Sequence, residues 1–480
     1  MDVRIKKMST KQKNILLIIC DQLSAQALAA WGSPYGSTPN IDRIIGNGVR
    51  FETAYTNCPL CQPARASLWT GLYPHQTGVL SNGRLHPVPE VPDSVATLGS
   101  VFSKAGYRTV HFGKQHDAGS LRGFERFPIE GKEIEDVAPS WPVNYDTRQD
   151  RNTREQMIDF LSSYADPRPY LAVADLNNPH DICSWIGEFQ GRKELISPDC
   201  ALPPLPDNLY RDEGQFEKLP LPIQYICCAH NRQAQMAEWD ETRIRHYLCA
   251  YHHYISRVDT EIGKILATLE GRSDAEDTLI VFTADHGDSM CGRWMGTKHT
   301  SFYDETTKIP LVFAGPGIEG EKGRAISGLT SLIDLFPTLC DYAGIDIPST
   351  VAGRSLMPWV VDHKEKPPRT YVVSQWHTEW GFTIEPGRMI RTNRYKYTHY
   401  LEGNGEELYD LIDDPGELKT LVDHRGFHKV LKEHRAILKE HTEIANDPYF
   451  SLEWNADERW RCHKPGYRNH RGAAAPASGN

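Results

Sequence analysis

Cys61-Gln62-Pro63-Ala64-Arg65 opens a segment whose residue types suit chemistry on an anion. Pro63 has no N–H and fits the first turn of a helix, which puts Cys61 at the helix start. Free backbone N–H groups and partial positive charge at such a start favour a bound dianion. Arg65, one turn on, carries a fork of donors that can steady the same anion. The plain alternative is a structural cysteine beside an ordinary helix.

Two further clusters sit at the ends of apolar runs. Asp21-Gln22 follows Asn14–Cys20, and Asp285-His286-Gly287 follows Thr278–Thr283. The carboxyl ends of parallel strands are where open α/β sheets bind ligands. Asp21, Gln22, Asp285 and His286 are candidate ligands of one cation, and an oxygen-rich set of this kind admits Ca²⁺, Mg²⁺ or Mn²⁺. Gln22 gives a neutral oxygen, so the site carries less negative charge than a pair of carboxylates would. Gly113-Lys114-Gln115-His116, Pro179-His180 and Gly296-Thr297-Lys298-His299 add cations and imidazoles. Taken singly, each of these has a structural alternative: a helix cap, a turn or a solvated loop.

The elements that must position these groups are legible as alternation. Strands are expected at Asn14–Cys20, Val49–Tyr55, Arg108–Phe112, Tyr170–Leu176, Thr278–Thr283 and Pro310–Ala314. Helices are expected after Thr38, over Ser94–Ala105 and over Ser331–Ala343. Ile244, Leu248, Tyr251, Ile255, Val258, Ile262 and Leu266 recur every three or four residues and predict a long amphipathic helix. Strands alternating with helices imply an α/β domain, a large mostly parallel sheet sandwiched by helices. Past the Lys-Pro-rich stretch near residue 365, short strands at Tyr371–Gln375, Met389–Thr392, Tyr395–Tyr400 and Glu407–Leu411 and a helix over His424–Ile444 imply a smaller C-terminal α+β domain. The expected division is 12–365, with an insertion at about 181–235 read as a long loop and candidate lid, then 366–465, then a disordered tail at 466–480.

At 480 residues, 39% hydrophobic and 24% charged, the chain has ample sequence for a large core. A net charge of −10 argues against general nucleic-acid binding and against acidic membranes. An anionic ligand therefore needs a locally basic pocket. The odd number of cysteines, 11, lacks a zinc or small-scaffold spacing, so most read as thiols of a reducing compartment. Ile15–Cys20 is too short for a membrane span and lacks a cleavage site, so the expectation is a cytoplasmic protein with no export signal.

Cys61 to Gly71 resembles the signature of formylglycine-dependent sulfatases: Cys-x-Pro-x-Arg, two free positions, two apolar residues and Thr-Gly. The other clusters follow in the order that family uses, so the resemblance spans roughly residues 14 to 425. It implies the alkaline phosphatase-like fold and a Cys61 oxidised to formylglycine by a maturation enzyme. The implied Ca²⁺ site uses Asp21, Gln22, Cys61, Asp285 and His286. Lys114 is implied to bind sulfate oxygens, and His116 to hold and deprotonate the hydrate hydroxyl. His180 and Lys298 are implied to flank the bridging ester oxygen, and Asp285 to take the proton from the attacking hydroxyl.

The Asp-Gln and Asp-His pairs are similar in style to bacterial uronate 2-O-sulfatases, which implies a small sulfated sugar derived from a glycosaminoglycan. Among Arg192, Lys193, Arg211, Lys218 and Arg232 of the insertion some are candidate contacts to a carboxylate or second sulfate; the plain alternative is that the basic residues are solvated and the nearby tryptophans are core. Ser374 to Trp380 offers aromatic faces for a sugar ring. Choline and aryl sulfatases, and phosphonate or phosphate ester hydrolases on the same scaffold, are the alternatives. A non-catalytic binding protein of the same fold is the reading from a different class.

Overall fold

The computed structural model describes residues 13–82, 90–127, 148–189, 202–211, 214–228, 236, 239–298, 301–318, 322–361, 369–377, 386–401 and 405–452. Among them two sheets account for the strands. The larger contains β1 (Asn14–Cys20), β2 (Gly48–Tyr55), β3 (Arg108–Gly113), β4 (Glu125–Phe127), β5 (Tyr170–Leu176), β6 (Thr278–Ala284), β7 (Lys308–Ile309), β8 (Leu311–Ala314) and β9 (Arg324–Ser331). Their order is β4-β3-β5-β1-β6-β8-β2-β7, with β9 also on β2. From β4 to β6 every pairing is parallel, while β8 runs antiparallel to both β6 and β2.

β1 shows why this sheet forms. Every residue of Asn14–Cys20 is buried, as a strand covered by helices on both faces requires. Its parallel neighbours β5 and β6 are also apolar, and the register brings Cys20 level with Leu176 and Ala284. The chain therefore leaves the sheet at Asp21 and Asp285 side by side. The helix Glu241–Glu270 packs along the sheet, with Ile244, Leu248, Tyr251, Ile255, Val258, Ile262 and Leu266 on its buried face. Asp240 caps its start by accepting from Arg243 N–H at 2.8 Å.

The smaller sheet is antiparallel, β10 (Tyr371–Trp376), β11 (Gly387–Thr392), β12 (Tyr395–Tyr400) and β13 (Gly405–Asp410), covered by the helix His428–Ile444. It also supports the loop leading to Cys61. Gln375 N–H donates to Asn57 O at 2.8 Å, Asn57 Nδ2 donates to Val373 O at 3.2 Å, and Ser374 Oγ donates to Thr56 O.

Several expectations need correction. The helix expected over Ser94–Ala105 is Leu98–Lys104, because the Thr97 hydroxyl accepts from Ser100 N–H and sets the start there. The insertion is not only loop: it contains the helices Ile182–Phe189 and Leu221–Cys228, anchored by buried Ile182, Trp185, Ile186, Ile223 and Ile226. β9 and the helix Arg148–Ser163 are additional elements. The tail expected from residue 466 lies outside the described residues. Among those described, no helix is long and apolar enough to cross a membrane.

Candidate active site

Cys61 is the first residue of the helix Cys61–Thr70, which is almost wholly buried. Asn82 Oδ1 accepts from Gln62 N–H at 3.0 Å, taking up one N–H of the first turn. The helix ends at Gly71, whose φ of 67° is left-handed. The Cys61 side chain thus faces the ends of β1 and β6.

Asp21, Cys61, Asp285 and His286 each offer a ligand atom, all within 4.8 Å of one another and all buried. Cys61 Sγ lies 3.2 Å from His286 Nε2 and 3.9 Å from Asp21 Oδ1. His286 Nδ1 lies 2.9 Å from Gly287 O, which can only accept, so Nδ1 holds a proton and Nε2 faces the cluster, where a bound metal would take its lone pair. Asp285 Oδ1 accepts from the backbone N–H groups of Gln22 and His286 at 3.1 and 2.9 Å. Two buried carboxylates, an imidazole lone pair and a sulfur at this spacing fit a divalent cation.

Gln22 has a left-handed φ of 67°, uncommon for a residue with a side chain. The turn is fixed from both sides, since Gln22 N–H donates to Asp285 and Gln22 O accepts from Tyr251 Oη at 2.7 Å. Its amide orientation follows from its partners. Nε2 donates to Asp288 Oδ2 at 2.7 Å, and Oε1 accepts from Lys298 Nζ at 2.8 Å. Gln22 Oε1 therefore carries a lysine contact beside the metal-type cluster.

Arg65 departs from its expected use. Its Nε donates to Asp285 Oδ2 at 2.9 Å, one terminal nitrogen to Asp175 Oδ2 at 2.6 Å and the other to Asp21 Oδ2 at 3.0 Å. All four side chains are buried. The guanidinium holds carboxylates in place instead of reaching toward an anion. Asp175, on β5, escaped the sequence reading, as did His111 Nε2, 3.1 Å from Asp175 Oδ2. A carboxylate inside an otherwise apolar strand was the available signal.

Two lysines converge on Asp21. Lys114 Nζ lies 2.5 Å from Oδ2, and Lys298 Nζ lies 3.8 Å from Oδ1. Gly113 makes the first contact possible: its φ is +103°, and any Cβ would collide with the Asp175 carbonyl oxygen. Lys298 also acts by charge on Cys61, and His180 interacts with Asp21. His116 lies half-buried in the loop after β3 and makes no hydrogen bond to the cluster. His299, Arg192, Lys193 and Arg232 lie outside the described residues.

Other expected contacts turn inward. Arg211 is buried and donates to Arg293 O at 3.3 Å and Tyr303 Oη at 3.2 Å, so it ties the insertion to the core. Lys218 is exposed. Trp376 is wholly buried and offers no face to a sugar, while Trp380 lies outside the described residues.

The charges act on one another. Burial pushes Asp21 up, but Lys114, His180, Lys298 and Arg65 outweigh it and hold the carboxyl well below its usual range. Burial and then Asp21 push Asp285 up to about 6. Burial and Asp21 work against a Cys61 thiolate, yet Lys298, Lys114 and His286 hold the thiol well below its free value. Burial, then Lys114 and Lys298, push His180 down to about 3, leaving it neutral near pH 7. The arrangement pairs an activated position 61 with fixed cations that can neutralise an oxyanion.

A sequence model of the Sulfatase family matches residues 13–345, and the model described as "N-sulphoglucosamine sulphohydrolase, C-terminal" matches residues 293–443. The chain belongs to the sulfatase family, and is a hydrolase of sulfate esters. It is 46% identical over 466 residues to a Delta 4,5-hexuronate-2-O-sulfatase of Bacteroides thetaiotaomicron, covering 97% of this chain and 96% of the relative. It is 28% identical to arylsulfatase K of Bos taurus, covering 84% and 77% of the two chains. The solved structure of a 2-O GAG sulfatase superposes with a TM-score of 0.89 at 45% identity, covering 98% of this chain and 99% of that one.

Membership of this family implies a formylglycine and a divalent metal. The Cys61 thiol stands where a formylglycine side chain would stand. A bound divalent ion would polarise a sulfate oxygen, and a hydrated aldehyde would supply the nucleophilic hydroxyl. Asp21, Asp285 and His286 would hold the ion, with Arg65 locking both carboxylates.

Proposed function

We propose that this protein removes a 2-O-sulfate from a hexuronate residue derived from a glycosaminoglycan. The observation that carries the reading is near full-length identity, 46%, to a hexuronate 2-O-sulfatase. The ion we assign is Ca²⁺, because the Asp21 and Asp285 carboxylates present hard oxygen donors. Formylglycine at position 61, made by a maturation enzyme, provides the attacking hydroxyl.

We assign the remaining roles from the resemblance to the sulfatase signature. Asp285, raised to about 6, takes the proton of the attacking hydroxyl. Lys114 and Lys298 neutralise charge on the sulfuryl oxygens, a contribution on the order of 3 kcal/mol per group. Neutral His180 and charged Lys298 flank the bridging oxygen and meet the negative charge that develops on the sugar alkoxide. His116 would take the proton of the remaining hydrate hydroxyl, so that the C–O bond to sulfate breaks, sulfate leaves and the aldehyde re-forms.

The test is a panel: an unsaturated uronate 2-O-sulfate disaccharide, a glucosamine 6-O-sulfate, choline sulfate, nitrophenyl sulfate and a phenylphosphonate ester. The uronate 2-O-sulfate should lead in kcat/KM by at least about a hundredfold. Preference for choline sulfate or simple aryl sulfates would overturn the sugar assignment and leave the sulfatase assignment standing. Preference for the phosphonate would overturn both.

A further inference from the structure

Lys298 and Gln22 come from segments 276 residues apart, yet their side chains meet at 2.8 Å. A closed ring of bonds explains how. Gln22 Nε2 donates to Asp288 Oδ2 at 2.7 Å. The Asp288 carboxylate accepts from Tyr247 Oη, which lies 3.0 Å from one oxygen and 2.9 Å from the other. The same Tyr247 oxygen accepts from Thr297 N–H at 2.9 Å. Thr297 precedes Lys298, whose ammonium returns to Gln22 Oε1. A hydroxyl has one proton and two lone pairs, so Tyr247 can serve Asp288 and Thr297 at once.

The ring needs such a hub because the backbone it restrains is unusual. Met290, Cys291, Arg293, Trp294 and Thr297 have φ of 46°, 63°, 55°, 61° and 57°, all left-handed and none a glycine. A non-glycine residue rarely takes this conformation, and it persists only where surrounding contacts over-determine it. Ser289 N–H to Thr297 O at 2.6 Å closes the loop on itself, and Met290 N–H donates to Asp288 Oδ1 at 2.8 Å. Tyr247 is fully buried on the helix Glu241–Glu270, with Trp185 and Trp239 ring centroids 5.9 and 6.1 Å away. Its ring cannot follow a wandering loop, so its hydroxyl is a fixed point.

We propose that Tyr247 is a positioning residue: through Asp288 and Thr297 it sets the Gln22 amide and the Lys298 ammonium as one rigid unit facing the scissile ester. Its hydroxyl bonds Asp288 and Thr297, and none of Asp21, Cys61, Asp285 or His286. This rests on the reading that Lys298 serves the bridging oxygen. It adds that the placement of Lys298, not only its presence, is built into the distant helix.

Tyr247→Phe removes only the hydroxyl and keeps the packed ring. It is to be compared with Lys298→Ala and the double variant, on a uronate 2-O-sulfate disaccharide and on nitrophenyl sulfate. Tyr247→Phe should lower kcat on the disaccharide by about tenfold with KM within about twofold, and lower nitrophenyl sulfate turnover by less than about threefold. In the double variant Tyr247→Phe should add less than about twofold to the loss from Lys298→Ala. Multiplying losses, or equal losses on both substrates, would overturn the proposal. If Lys298→Ala shows no preference between substrates, the leaving-group role fails, and the ring is still judged by the double variant. Should Tyr247→Phe not fold, Asp288→Asn takes its place with the same expected pattern.

Discussion

Arg65 Nε donates to Asp285 Oδ2 at 2.9 Å, and this bond ties the helix carrying Cys61 to the end of β6. The other two guanidinium nitrogens reach Asp21 and Asp175, at the ends of β1 and β5. One side chain therefore fixes the position-61 residue relative to three parallel strands. Arg65→Ala should leave buried Asp175 and Asp285 without this counter-charge, while Asp21 keeps Lys114 and Lys298, and destabilise the fold by about 3–5 kcal/mol. Urea unfolding measures this. A change below about 1 kcal/mol would mean that the carboxylates are neutralised in some other way.

Metal removal should act on stability as well as on turnover. An ion that binds only the folded chain stabilises it by mass action. Chelation should lower both Tm and activity, with recovery on adding Ca²⁺, and Asp21→Ala should be insensitive to either treatment. A chelated protein with unchanged Tm and full activity would contradict the assignment of Asp21, Asp285 and His286 as ligands.

The leaving-group assignment predicts a difference between substrates. His180→Ala should cost about a hundredfold on a sugar sulfate, whose alkoxide must be stabilised, and less than about tenfold on nitrophenyl sulfate, whose phenoxide departs readily. The ratio of the two kcat/KM values is the measurement. Equal losses would assign His180 to sulfate binding instead.

Burial pushes His252 and His441 down to about 4, so the folded state binds fewer protons than the unfolded chain between pH 4 and 6.5. Stability from this source is full above pH 6.5 and falls as pH drops toward 4, by up to about 1.4 kcal/mol per unit for each histidine. Asp150, raised by burial to about 6, works in the opposite direction, so the comparison must be between variants. His441→Gln should lose less stability than the parent between pH 7 and pH 5, read from urea midpoints. An identical loss in both would show that His441 is not held neutral.

Much of this site could be read from sequence because its groups follow apolar strands that run parallel. Asp21 and Asp285 end two such runs, which marks them as candidates, and the resemblance of Cys61–Gly71 to the sulfatase signature joins Cys61 to them. Asp175 was hidden because its strand reads as continuous core. Arg211 and Trp376 both face the interior; charge and aromaticity alone do not say which way a side chain points. β9, with Gly328 in its middle and a mixed burial pattern, lacks a clean alternation. The helix Arg148–Ser163 carries mostly polar residues around buried Met157 and Leu161, so its period is weak.

The central claim is that position 61 works as an aldehyde derived from cysteine. The direct measurement is the aldehyde fraction at residue 61, read by mass spectrometry of its peptide after oxime trapping, alongside activity, in protein made with and without a formylglycine-generating enzyme. Activity should rise in proportion to the aldehyde fraction, and Cys61→Ala should have essentially none. Full sulfate ester hydrolysis by protein carrying only the unmodified thiol at position 61 would contradict the account.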